Sequence, residues 1–288
     1  MEVASLALPD AINWVREHLT AAVPLKDVFR EVLDLSYTDI AFPMELSLSR
    51  EEYQKIVCAV ERLNKKEPLA HIVGHAPFYG RDFYVNEDVL IPRMDTEISI
   101  EVLLKLFKEG DRFLELGVGS GCVSLTLALE GPPGAFHGVD ISPEALAVAE
   151  KNLGKFQGEL HSPVTFFQSD WFSALEGKYQ LIYANPPYIS YGELDDLDES
   201  VKDYEPHLAL FAPENGLANY RKIVQDSPNY LKNGGHLVFE IGATQGKAVA
   251  ELLETRGFTD VAIERDLEQR DRVVYGTWIS PDGGEDRI

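Results

Sequence analysis

The chain has 288 residues, 45% hydrophobic and 26% charged, which is long enough for one large core or two unequal ones. Its 26 Lys and Arg against 48 Asp and Glu give a formal charge of −22. That balance disfavours a long phosphate contact with nucleic acid and suits a basic protein partner. Apolar runs fall short of the roughly 18 residues that a membrane span needs. The opening Met1-Glu2-Val3-Ala4-Ser5 lacks a basic leader, and Cys58 and Cys122 form no Cys-x-x-Cys pair. The expectation is a cytoplasmic protein with no membrane, disulfide or metal chemistry.

Residues 1–69 carry helical patterns and almost no glycine. Ile12, Val15, Leu19 and Ala22 recur at helical spacing, and Val28, Phe29, Val32 and Leu33 form a second stripe. Ser49 and Glu52 fit a capping box ahead of a third stripe, Tyr53, Ile56, Val57, Val60 and Leu63. Residues 70–93 read as a β-hairpin linker built from His71-Ile72-Val73, Phe78-Tyr79-Gly80, Phe83-Tyr84-Val85 and Val89-Leu90-Ile91. His71 and His75 lie four apart, but Gly74 and the strand pattern speak against a helical ligand pair.

Over residues 94–280 the pattern alternates. Helices are expected at Glu97–Lys108, from Cys122, at Pro143–Leu153, Ala218–Leu231 and Gln245–Arg256. Strands are expected at Phe113–Leu116, Phe136–Asp140, Val164–Phe167, Tyr179–Tyr183, His236–Ile241, Val261–Glu264 and Arg272–Trp278. This alternation predicts an α/β fold, a mostly parallel, doubly wound sheet with ligands at the strand C-terminal ends. Residues 281–288 read as a loose polar tail.

The first strand breaks into Gly117-Val118-Gly119-Ser120-Gly121 and then a helix. Glycine there permits a sharp turn and close approach of a ligand. The dinucleotide fingerprint would place its third glycine where Cys122 stands, so a nicotinamide oxidoreductase is disfavoured. Asp140 ends the next strand, positioned to accept from a ribose diol, and capping beside Ser142 and Pro143 is a compatible second role. Asp170-Trp171 offers an acceptor and an apolar wall for a base, although Trp171 alone reads equally as core.

The strand Tyr179–Ala184 runs into Asn185-Pro186-Pro187-Tyr188. Two prolines remove two backbone donors and forbid helix, so the strand stops abruptly. The Pro186 carbonyl and the Asn185 side-chain carbonyl can then receive both hydrogens of an NH2 group, and Tyr188 offers a flat face to a planar substrate. An ordinary Pro-Pro loop is the plain alternative, weakened by the position of this one beside a cofactor turn in the same sheet.

This constellation resembles the class I amino-methyltransferases, and over nearly the whole chain the resemblance narrows to the HemK/PrmC family. Phe78-Tyr79-Gly80, Val89 to Glu97, Tyr204-Glu205-Pro206 with Ala209-Leu210, Gly216-Leu217, Gly234-Gly235, Glu240-Ile241-Gly242, Asp266-Leu267 and Asp271 to Val274 follow the family order. Met94 departs from it, standing where the family usually has proline. The resemblance implies a Rossmann-like, mostly parallel seven-stranded sheet with a five-helix N-terminal recognition bundle. It implies transfer from S-adenosylmethionine, yielding S-adenosylhomocysteine, to the glutamine of the Gly-Gly-Gln tripeptide in peptide-chain release factors. It places the cofactor on Gly117, Val118, Gly119, Ser120, Gly121, Asp140, Trp171 and Asn185. The catalytic and substrate-holding positions are Asn185, Pro186, Pro187 and Tyr188. A monomer acting on release factors, with no direct nucleic-acid contact, is expected. Glu205 is a more distant carboxylate that could contribute. The alternatives are an adenine-N6 nucleic-acid methyltransferase, whose target is also a planar NH2, and a non-catalytic cofactor-binding scaffold.

Overall fold

Seven segments that read as apolar or alternating runs join in one sheet: β1 (Arg112–Leu116), β2 (Ala135–Asp140), β3 (Val164–Gln168), β4 (Tyr179–Ala184), β5 (Leu231–Glu240), β6 (Phe258–Arg265) and β7 (Asp271–Trp278). The spatial order is β3-β2-β1-β4-β5-β7-β6. Strands β1 to β5 run parallel, and β7 is antiparallel to both β5 and β6. The chain enters mid-sheet at β1, winds outward to β3 and returns to β4, so the switch point that binds ligands in such sheets lies between β1 and β4.

Alternation along the strands sorts the core into two layers. Phe113, Leu181, Tyr183 and Val238 face the helices Glu97–Leu106, Cys122–Glu130 and Pro143–Phe156. Leu114, Leu116, Ile182, Ala184, Leu237 and Phe239 face Ala218–Asp226 and Gly246–Arg256. This is the doubly wound α/β sheet expected from the sequence.

The structure, a computed structural model, describes residues 5–281; the expected tail lies outside them from residue 282 on. It divides into two compact units. One runs through His75 and includes Asp198–Tyr204, and the other comprises Ala76–Leu197 and the chain from Glu205 on. In the first unit the described residues form five α-helices before His75, Leu8–His18, Leu25–Leu33, Tyr37–Ala41, Arg50–Leu63 and Leu69–Val73, and a sixth, Glu199–Lys202, in the later segment. Leu8, Ile12, Val15, Val28, Phe29, Ile56, Val60 and Leu63 make the core of the first five. The Ser49 hydroxyl accepts the Glu52 N–H while Glu52 accepts the Ser49 N–H, the reciprocal cap expected. A short ribbon, Ser5–Ala7 with Ser47–Ser49, gave no period-2 signal in three residues per strand.

Four local readings need correction. His71-Ile72-Val73 is helical, because Pro68 starts the turn and Gly74, at φ 78°, ends it before His75. The hairpin is confined to His75–Phe78 and Arg81–Tyr84, and Val89-Leu90-Ile91 is irregular despite its apolar run. The helix from Ala218 stops at Asp226, since Pro228 breaks it and Leu231 already belongs to β5. The helix from Glu97 ends at Leu106, where Phe107 turns into the core.

Asn152 ties the hairpin and the β1 turn to one helix. It is fully buried, accepts the Tyr84 N–H at 2.7 Å, and donates to the carbonyls of Tyr84 at 2.9 Å and Ser120 at 2.8 Å. Asn152→Ala takes this partner from one buried and two partly buried backbone groups, so the expected loss is about 2 kcal/mol in denaturant unfolding. A loss under about 0.5 kcal/mol would contradict this assignment.

Candidate active site

The register of the parallel ladder decides what meets at the switch point. Leu116 pairs with both Val139 and Ala184, and Ala184 pairs with Phe239. The next residues along the four strands are Gly117, Asp140, Asn185 and Glu240, so these lie at one level. Gly117, Asp140 and Asn185 border a cavity of about 310 Å³, within the size range of small-molecule sites.

The glycine turn owes its shape to backbone conformation. Gly117, Gly119 and Gly121 have φ of 75°, 51° and 79°. A Cβ on Gly119 would meet open space and one on Gly117 only the Trp171 ring at 4.0 Å, so glycine serves there to reach positive φ, whereas one on Gly121 would press on Ala149, Leu125 and Phe166 at 3.3 Å. Gly117, Val118, Gly119 and Ser120 line the cavity, while Gly121 sits behind it. Asp140 holds the turn open: one carboxylate oxygen accepts the Gly119 N–H at 3.0 Å and the other the Ser142 N–H at 3.0 Å. Capping of the following helix falls to Ser142, whose hydroxyl accepts the Ala145 N–H. Trp171, at φ 51°, and Asp170 line the same cavity, with Asp170 paired to Lys222 at 2.9 Å.

Of the second motif, Asn185 and Pro187 line the cavity, Pro186 is buried beneath it, and the Tyr188 ring packs beside Gly242. Among the described residues neither the Asn185 amide nor the Pro186 carbonyl has a hydrogen-bond partner, so both remain available to a ligand. The carbonyls of Pro187 and Tyr188 accept from Asn219 at 2.9 Å and Gln245 at 3.1 Å. Burial pushes the Tyr188 phenol up to about 12, so it stays neutral.

Several residues at the site were assigned to neither cofactor nor substrate from the sequence. Glu115 lies on the sheet face that carries Tyr183, is 3% exposed, lines the cavity and accepts the Ser124 N–H at 2.9 Å together with the Ser124 hydroxyl. Glu240, also buried, accepts from the Tyr183 hydroxyl at 3.1 Å and from Thr96. Residues 88–96 form one wall of the cavity and are tied down along their length. Glu205 accepts the Ile91 N–H at 3.1 Å and pairs with Arg93, while Asp95 pairs with Arg272 at 2.8 Å. Glu205 is thereby engaged in holding the wall and is not a free base. Met94 is 81% exposed and belongs to none of these ties.

The comparisons agree with this geometry. A model described as the PrmC N-terminal domain matches residues 10–74, and one described as the methyltransferase small domain matches residues 93–199. The release factor glutamine methyltransferase of Koribacter versatilis is 36% identical over 94% of this chain and 98% of its own length. That of Fusobacterium nucleatum is 38% identical over 87% of this chain and 72% of its own. The chain belongs to the HemK/PrmC family of release factor glutamine methyltransferases. As a member it is an S-adenosylmethionine-dependent methyltransferase. A methyltransferase from Pyrococcus furiosus superimposes with a TM-score of 0.52 at 17% identity, covering 76% of this chain and 98% of that one. The hMettl16 catalytic domain does so with 0.56 at 15%, covering 84% and 86%. Both likenesses show the fold alone.

The methyltransferase's cavity fits a cationic cofactor. Its charged lining is Asp88, Asp140 and Asp170 against Arg93, which is paired with Glu205. Such a lining repels a pyrophosphate and welcomes a sulfonium and an ammonium. Asp140 retains lone pairs for a ribose diol, and Trp171 supplies an apolar wall. Among the described residues no cluster of three or more His, Cys, Asp and Glu could hold a metal ion, and no helix is long and apolar enough to cross a membrane.

Burial, opposed by the Ser124 bonds, pushes the Glu115 carboxyl up to about 8 from its ordinary 4.5. The folded chain therefore keeps this proton through a window in which the unfolded chain has released it. Stability falls as pH rises from 4.5 to about 8. Glu115→Gln, neutral throughout, removes that part of the slope. Denaturant titrations at about pH 5 and about pH 8 should show the variant gaining on the parent at the higher pH. An identical pH dependence for both proteins would contradict it.

Proposed function

We propose that the chain transfers the methyl group of S-adenosylmethionine to the side-chain amide nitrogen of the glutamine in the Gly-Gly-Gln tripeptide of peptide-chain release factors. The observation that carries this reading is the Leu116–Ala184 pairing, which brings Asn185, whose side chain has no hydrogen-bond partner among the described residues, next to the glycine turn at one cavity. Family membership, and relatives named release factor glutamine methyltransferase that match over 98% and 72% of their own length, support the substrate.

An amide nitrogen is a weak nucleophile because its lone pair is delocalised into the carbonyl. When bound, S-adenosylmethionine supplies an activated methyl on its sulfonium. The chain's task is alignment. The Asn185 side-chain carbonyl and the Pro186 carbonyl each accept one N–H, which fixes the amide plane and points the nitrogen at the cofactor. Such alignment lowers barriers by as much as ~7 to 11 kcal/mol in favourable cases. Once alkylated, the nitrogen is acidic enough to lose its proton to water, so no strong base is needed beside it.

Glutamate in the same place would offer charge and no N–H to two acceptors, and sites built on such pairing discriminate by about 10⁴ or more. Gly117, Val118, Gly119, Ser120, Gly121, Asp140, Trp171 and Asn185 are assigned to the cofactor, and Asn185, Pro186, Pro187 and Tyr188 to the glutamine. A charge of −22 and an acidic cavity lining favour a protein substrate over adenine in nucleic acid. The enzyme is taken to act as a cytoplasmic monomer without a metal.

Labelled methyl transfer to purified release factor, to its Gln-to-Glu variant and to nucleic acid separates the readings. Label should enter the first alone, and Asn185→Ala should lower that transfer ~100-fold or more at saturating cofactor. Transfer to nucleic acid but not to release factor would replace this reading with the adenine one.

A further inference from the structure

The acceptors assigned to the glutamine sit on a turn with no regular structure of its own, so something must hold it. Two side-chain amides from different helices do so. The Asn219 amide, at the start of Ala218–Asp226, donates to the Pro187 carbonyl at 2.9 Å. The side-chain amide of Gln245, the residue just before Gly246–Arg256, donates to the Tyr188 carbonyl at 3.1 Å and accepts the Gly242 N–H at 3.1 Å. Gln245 thus links the end of β5 to the turn after β4.

The space around this link is closed. A Cβ on Gly216, which has φ 81°, would lie 1.9 Å from the Tyr188 carbonyl oxygen and 2.7 Å from the Gln245 amide nitrogen. One on Gly242 would lie 3.0 Å from the Gln245 oxygen and 3.3 Å from the Tyr188 ring. The Gln245 amide is bracketed by two residues that have no side chain, leaving it one arrangement.

We infer that Gln245 and Asn219 are positioning residues: by pinning the two carbonyls that follow Pro186, they set the direction of the Pro186 carbonyl and hence of the bound amide. The inference rests on the reaction assigned above. Gln245 does not line the cavity, so its effect is exerted through the turn and not through the cofactor. Rate depends steeply on such alignment, and a misplacement of about 1 Å can cost ~100-fold.

Gln245→Glu keeps the shape and the acceptor for Gly242 but presents no N–H to the Tyr188 carbonyl. Asn219→Asp makes the same change at Pro187 on the other helix; because Asn219 lines the cavity, it replaces the first variant, if that does not fold, only with its cofactor affinity measured alongside kcat. With release factor and cofactor both saturating, kcat should fall ~100-fold in Gln245→Glu, while S-adenosylmethionine affinity by calorimetry stays within about twofold of the parent. Two outcomes overturn the inference while leaving the assigned reaction intact. One is kcat within about twofold of the parent in a folded variant, and the other is a loss of transfer matched by an equal loss of cofactor affinity. Absence of transfer by the parent protein itself overturns the reaction and the inference with it.

Discussion

The structure depends on one register. With Leu116 beside Ala184 in the parallel ladder, the glycine turn and the proline turn leave the sheet side by side. Side chains alternate along a strand, so a slip of one residue would exchange the two faces. Glu115 and Tyr183 would leave the cavity side, and Leu114 and Ile182 would leave the opposite core. Burial of both faces therefore enforces the register, and the chemistry follows from it. No single residue of the site is placed by local sequence alone.

Around that register the chain has built a polar layer inside an apolar sheet. Glu115, Tyr183, Glu240, Ser99 and Thr96 are all buried. Buried carboxylates are costly unless hydrogen-bonded, and here each has partners: Ser124 for Glu115, Tyr183 and Thr96 for Glu240. Burial still pushes Glu240 up to about 6. This layer joins the cavity wall at 88–96 to the sheet, and Arg272 extends it by pairing with both Asp95 and Asp266. Motifs far apart in the chain thus prove to be two halves of the same contacts. The Tyr79 N–H reaches Glu97, Arg93 reaches Glu205, and Thr96 reaches Glu240.

The parts of the site that were legible in the sequence are those in which contiguous residues carry the chemistry. Gly117 to Gly121 and Asn185 to Tyr188 announce themselves because the turns and the proposed function call for the same residues. Asp140 could be read from its place at a strand end, and its bond to the Gly119 N–H adds a role that spacing could not show. Gln245 and Asn219 were silent, since a polar side chain at a helix start has an ordinary explanation and their partners lie 57 and 32 residues away. Glu115 had a signal that went unused: a lone carboxylate within an otherwise apolar strand is either paired or functional. Local errors had local causes. Ile72 and Val73 favour strands, but Pro68 and Gly74 impose one helical turn between them. Val89 and Ile91 are buried by an irregular wall and not by a sheet partner.

In the proposed reaction the turn after β4 receives the substrate amide with acceptors set by the β1–β4 register. A crystal structure of the enzyme with S-adenosylhomocysteine and a peptide containing Gly-Gly-Gln tests it most directly. The glutamine nitrogen should donate to the Asn185 side-chain carbonyl and the Pro186 carbonyl at about 3 Å, facing the cofactor sulfur. A glutamine seated elsewhere in the cavity, or one whose amide meets neither acceptor, would contradict the account.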